Sequence, residues 1–332
     1  MTGNSAHVSQ YQFGDGCMLT VVEDEEKCAE LLIAAEQTVA QKFSRYGKWP
    51  HRQVNLFVFE NLQPLIEKLG QASRTLGENK ESADNAYHGL ENKPMVHAYN
   101  PADLKETSIF VNRGQLQRLG LWDNAEVLEG LLAHEHAHPL SENVTTLTAR
   151  NLRVTISPAA PTNDARQIPA SANTAKALET LAHELCLHAT HEVFANELVI
   201  RAGLGAQLFA LNRQSLTGGR AGIEARIMLE ARLQAEVAQE RLNENDAALT
   251  LLLASLEAHA RIALETAAFV RAGAEKQADA LDDLLQREAF RHVEPEVEDI
   301  YRQLCVSYSA LTVDMEASQL QDWAANAFAP VT

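Results

Sequence analysis

An α+β fold is predicted, a small sheet packed on a helix and followed by an all-helical C-terminal region. Three features of the 332 residues predict it. Short runs of alternating apolar residues recur before residue 112, as in half-buried strands. Longer runs between and after them repeat apolar residues every three or four positions, as amphipathic helices do. After Gly203 the character changes: Gly218-Gly219 marks a break, and Ala, Leu, Glu, Gln and Arg dominate from Arg220 to about Ala329. The expected domains are therefore 1–217 and 218–332.

The elements follow in order. Cys17–Val22 reads as a strand, and Asp24–Tyr46 as an amphipathic helix that Asp24 caps. In Gln53–Glu60, Val54, Leu56 and Val58 alternate with Asn55, Phe57 and Phe59, a second strand. Leu62–Leu69 is helical in pattern, and Gly70–Lys93 is polar and irregular. Met95–Tyr99 and Thr107–Asn112 complete the strands. Ser141–Leu152 reads as a short helix, and Arg153–Thr174, with Pro158, Pro161 and Pro169, as a loop. Ala177–Gly203 is a long helical stretch. Beyond Gly219 come a helix over 221–243, a turn at Asn243–Asp246, a long helix to about 290 and two shorter ones. Leu249, Leu252, Leu253, Leu256 and Ala260 form an apolar stripe, widened by Ile262, Phe269 and Val270. Without a sustained heptad, a packed bundle is expected, not a coiled coil.

One segment carries chemistry. His134-Glu135-His136-Ala137-His138 spells His-Glu-x-x-His. The run before it is helical, with Asp123 as the expected cap and Glu126 completing a capping box. Val127, Leu131, His134 and His138 fall on one stripe, and Pro139 is expected to close the helix. Histidines four apart lie one turn apart on the same face, so both rings can reach one ion. The glutamate between them can act as general base toward an activated water. This pattern points to Zn²⁺ held by His134 and His138, with Glu135 catalytic.

Zinc in a catalytic site takes a third protein ligand. Glu142 adjoins the motif, and no further glutamate appears before Glu179. The candidates therefore crowd into Ala177–Gly203: Glu179, His183, Glu184, His188, His191, Glu192 and Glu197. Leu181, Leu185, His188, Glu192, Ala195 and Val199 recur on one stripe, apolar except at its middle. A carboxylate on a buried stripe costs several kcal/mol unless paired or bound to a metal. Glu192 is the preferred third ligand and His188 the runner-up. Glu179, Glu184 and Glu197 read as a solvated face. Asn196, one turn beyond Glu192, is placed to hydrogen-bond a ligand.

Glu192-Val193-Phe194-Ala195-Asn196 resembles the Glu-x-x-Ala-Asp segment of HtpX-like and CAAX-prenyl-protease-like gluzincins. Ser108–Leu116 resembles the strand and short helix that precede the metal helix in that family, and Leu128–Glu135 resembles the metal helix itself. The resemblance implies a zincin-like catalytic domain in which His134, His138 and Glu192 bind zinc and Glu135 activates water. It also makes Met95–Tyr99 a candidate edge strand for pairing with an extended substrate. Three features depart from the family. Asn196 stands for the usual Asp, Pro139 follows the last histidine, and membrane-spanning helices are missing. ImmA/IrrE-like regulatory peptidases also carry Glu-x-x-Ala-Asn, but they space the motifs more closely than the 54 residues from His138 to Glu192.

Composition sets outer bounds. A net charge of −17 argues against a nucleic-acid partner. Cys17, Cys28, Cys186 and Cys305 are scattered without a Cys-x-x-Cys, as in a reduced, cytoplasmic protein. Met1–Gln12 lacks the regions of a signal peptide. The most apolar run, Ala247–Ala258, is too short to span a bilayer. The sequence thus predicts a cytoplasmic zinc metalloendopeptidase acting on protein or peptide, with no membrane partner. Its C-terminal helices are available for a homo-oligomer or a protein partner. A metal-containing regulator without turnover, or an ImmA/IrrE-like protease of one regulator, are the alternatives. His188 or His191 are candidate oxyanion donors.

Overall fold

The computed structural model describes residues 6–14, 16–63, 65–67, 93–152, 183, 189–217, 220–288 and 295–328. Five strands form one sheet: β1 (His7–Phe13), β2 (Cys17–Glu23), β3 (Gln53–Phe59), β4 (Met95–Asn100) and β5 (Asp103–Asn112). Their spatial order is β1-β2-β3-β5-β4. β2, β3 and β5 run parallel, and the two outer strands are antiparallel to their neighbours. The protein is therefore α+β with a mixed sheet.

Alternation decides which face of the sheet is covered. Cys17, Leu19 and Val21 of β2, Val54, Leu56 and Val58 of β3, and Ile109 and Val111 of β5 are buried. The register pairs Leu19 with Val54 and Leu56 with Ile109, so these side chains form one continuous apolar layer. On the opposite face Phe57 and Phe110 stack with centroids 4.9 Å apart. Helix α1 (Glu30–Arg45) buries Leu32, Ala35, Val39, Ala40 and Phe43 on one stripe. After β5 come α2 (Arg113–Arg118) and α3 (Ala125–Leu140); α3 packs along α1 and against β4.

Three local expectations need correction. Asp24 does not cap α1, whose first residue is Glu30 and which has no side-chain cap. The Glu23 carboxylate instead accepts from the Lys27 and Ala29 amides, at 3.0 Å each. Asp24 accepts from the Glu60 amide at 2.7 Å and pairs with Arg113 at 3.2 Å. Helix α3 is capped by Asn124, not Asp123: its Oδ1 accepts from the Val127 amide, the third helical residue, at 3.3 Å. Pro139 does not end α3 at His138; it lies inside the last turn, which runs to Leu140. A further strand, β1, follows no apolar alternation, because most of its residues are exposed.

The remaining helices are α4 (Val144–Asn151), α5 (189–199), a π turn (Ile200–Leu204), α6 (Gly205–Thr217), α7 (Arg220–Ala238), α8 (Glu244–Arg271), α9 (Glu275–Glu288), α10 (Pro295–Ser309) and α11 (Ala317–Phe328). Gly203, at φ 84°, breaks the run between α5 and α6 in a conformation glycine adopts freely. The chain divides into two compact units. One comprises Met1–Leu140 with Ala202–Leu211; the other comprises Ser141–Arg201 with Asn212–Thr332. α4 and α5 belong to the helical unit. Ala149, Ala189, Val193 and Phe194 share its core with Leu264, Tyr301, Tyr308 and Trp323. The helical packing expected of the C-terminal region is present. Of the residues said to widen its apolar surface, Phe269 is buried, but Val270 is exposed.

Candidate metal centre

In the first unit, α3 presents His134 and His138 one turn apart, both half-buried. Their Nε2 atoms lie 3.1 Å apart, and the rings meet edge to face with centroids at 4.5 Å. Zn–N bonds run at about 2.0–2.1 Å. Two nitrogens 3.1 Å apart then subtend roughly 95–100° at an ion, some ten degrees below the tetrahedral angle. Both rings can therefore reach a single metal ion. Glu135, also half-buried, stands between them in sequence.

Behind the turn that carries His134 and His138 lies a buried polar layer. His136 and Glu36 of α1 are fully buried, and His136 Nε2 lies 2.9 and 3.1 Å from the two Glu36 carboxylate oxygens. His136 also sits 5.2 Å from His51, 5.3 Å from His97 and 4.8 Å from Trp49, centroid to centroid. Burial raises the Glu36 carboxyl to about 8, since the charged form would lose its water. The same cause lowers His136 and His97 to about 3 and His51 to about 4. At neutral pH these imidazoles are uncharged. His51 Nδ1 donates to the Leu104 carbonyl at 2.5 Å. His97 Nδ1 donates to the main-chain carbonyl of Glu135 at 2.8 Å, and its Nε2 meets the Thr107 hydroxyl.

In the second unit, Glu192 is half-buried on α5, flanked by the buried Val193, Phe194 and Ala195. Asn196 is fully buried and donates from Nδ2 to Glu265 of α8 at 2.7 Å. Asn212 of α6 donates to the same Glu265 oxygen at 3.0 Å. Glu265 thus ties together the two sides of the break at Gly203. Glu197 is not on a solvated face: it pairs with Arg201 and Arg271 at 2.8 Å each, and Arg271 also lies over the Phe194 ring. His191 Nε2 accepts from Arg150 Nε at 3.3 Å, so in that bond this nitrogen is no donor to an oxyanion. His188, Glu179, Glu184, Leu181 and Leu185 lie outside the described residues.

Among the described residues, His134, His138 and Glu192 are the group of His, Cys, Asp or Glu side chains that could hold a metal ion, each offering one ligand atom. Two imidazoles and one carboxylate suit Zn²⁺, with a coordination position left over. Sequence reasoning missed Glu36, His51 and His97. Glu36 could have been found, because it interrupts the apolar stripe of α1 just as Glu192 interrupts that of α5. His97 shares the inward period-2 face of β4 with Met95 and Tyr99, but nothing in the sequence tells which residue it meets.

Comparison of the chain with protein-family models, curated proteins and solved structures returns no match. Among the described residues, no helix is long and apolar enough to cross a membrane.

Proposed function

We propose that this chain is a zinc metallopeptidase of the gluzincin type, with a zincin-like catalytic domain resembling that of the HtpX-like and CAAX-prenyl-protease-like enzymes. The observation that carries the reading is the His134–His138 pair. Its two Nε2 atoms sit 3.1 Å apart on successive turns of a buried helix, with a carboxylate between them in sequence. Glu192 is the third ligand in this reading, carried to the ion by α5.

A bound Zn²⁺ supplies Lewis acidity, polarising the scissile carbonyl and making water a stronger acid. The protein's own residues do the rest. Glu135 takes a proton from the attacking water and delivers it to the leaving amine, so that the C–N bond breaks with a neutral leaving group. β4 lies at an end of the described sheet, and its outer edge can pair with an extended substrate backbone. The buried layer around His136 packs behind the turn that carries the base and both histidines. Cys17, Cys28 and Cys305 are free thiols, which fits a reducing compartment such as the cytoplasm.

The test is cleavage of an unfolded protein by purified protein loaded with one equivalent of zinc. Chelation should abolish cleavage and zinc should restore it. Glu135→Gln should keep the metal and lose at least about 100-fold in turnover, the scale of a lost general base. A protein that binds zinc but cleaves no unfolded protein or peptide library is the non-catalytic regulator instead. Cleavage confined to one regulator would point to the ImmA/IrrE-like class.

A further inference from the structure

Pro139 leaves a gap in the helix that His97 fills. In an α-helix the amide of residue 139 would donate to the carbonyl of residue 135. Proline has no amide hydrogen, so that bond cannot form, although α3 continues through Pro139 to Leu140. The carbonyl left without its helical donor belongs to Glu135. His97 of β4 reaches this oxygen with Nδ1 at 2.8 Å. A carbonyl can only accept, so Nδ1 carries the proton and Nε2 is the acceptor. Thr107 of β5, buried, presents its hydroxyl to that nitrogen. The tautomer is thereby fixed by two partners, one on α3 and one on the neighbouring strand β5.

We infer that His97 is a positioning residue for Glu135, standing in for the amide that Pro139 removes. The inference rests on the peptidase reading, because it concerns how the general base is held. An orphaned carbonyl at a buried helix end turns toward whatever donor it can find and loosens the turn it belongs to. That turn carries Glu135 at its start and His138 near its end. With His97 in place the turn is tied to β4, the strand proposed to hold the substrate. The base and the substrate backbone are then referenced to the same element, and a peptide paired with β4 arrives in fixed register with the Glu135 carboxylate.

The proposal predicts a specific non-additivity. His97→Leu should lower kcat by about 10- to 100-fold, the usual cost of losing a group that orients a reacting residue. KM should move less than about threefold, and zinc affinity should hold to within about threefold. In the P139A background the helical amide is restored and closes the bond to Glu135 itself. There His97→Leu should cost less than about threefold, so the double mutant turns over faster than H97L alone. Equal losses from His97→Leu in the two backgrounds would overturn the inference. His97→Gln, whose amide can still donate, should rescue part of the loss in the wild-type background. If the wild-type protein proves to have no peptidase activity, the peptidase reading fails by itself. The same cycle read as urea midpoints still tests the link: H97L should lower the midpoint more with Pro139 than with P139A.

Discussion

Gly130 offers a test in which the sign of the effect is the result. It lies on α3, one turn before His134, and belongs to the first compact unit, as do Gln207 and Leu208 of α6. A Cβ at position 130 would sit 2.5 Å from the Gln207 carbonyl oxygen, 2.8 Å from its carbon and 3.3 Å from the Leu208 nitrogen. All three are backbone atoms, so no side-chain rotation relieves the clash. Ordinary contact would require the two helices to separate by roughly 0.7–1 Å, and overpacking of this kind costs about 1–3 kcal/mol. At an unhindered helical position, glycine to alanine instead gains about 1 kcal/mol. Set against that gain, Gly130→Ala is expected to be destabilising by up to about 2 kcal/mol. That corresponds to a drop of up to roughly 8 °C in the melting temperature of a unit of this size. Urea denaturation followed by circular dichroism measures it, with Gly130→Val expected to cost more. A rise in stability for Gly130→Ala would refute the close approach of α6 to α3.

Two further predictions concern the buried layer. Glu36→Ala leaves His136 Nε2 without its partner in a fully buried place and should cost at least about 1–3 kcal/mol in urea unfolding. Glu36→Gln, which keeps a hydrogen-bonding head, should cost less, and equal costs would deny the pairing. Stability should also peak near pH 6.5. Below that value the unfolded chain takes up protons that His51, His97 and His136 refuse in the fold, because burial depresses them to about 4, 3 and 3. Each such proton removes about 1.4 kcal/mol per pH unit as the pH falls. Glu36 acts in the opposite sense. Raised to about 8, it holds a proton in the fold that the unfolded chain releases above about 4.5, so stability falls as pH rises toward 8. Urea midpoints across pH 4–8 check this, and a flat profile would contradict the uncharged layer.

Much of the architecture could be read from pattern alone. The alternation in Gln53–Glu60 and the His-Glu-x-x-His helix are local signals, and both elements stand where their periodicity puts them. The caps show where local reasoning stops. Asp24 and Asn124 are both good capping residues, but Asp24 is drawn to Arg113 and the Glu60 amide, partners 89 and 36 residues away. β1 escaped because an exposed outer strand carries no apolar alternation. Glu192 and Glu36 pose the same puzzle, a carboxylate on an apolar stripe. For Glu36 the answer is a neutral acid against His136, an outcome that a stripe by itself does not distinguish from metal binding. The role of His97 depends on Pro139, 42 residues later in sequence, and is legible only once strand and helix are side by side.

Zinc titration of metal-free protein, by calorimetry with side-by-side metal analysis, bears most directly on the main claim. The wild-type chain should take up one equivalent. His134→Ala, His138→Ala and Glu192→Ala should each weaken binding at least about 100-fold, while Glu135→Gln should bind as the wild type does. Undiminished uptake by Glu192→Ala, or no uptake by the wild-type protein, would contradict a site made of these three residues.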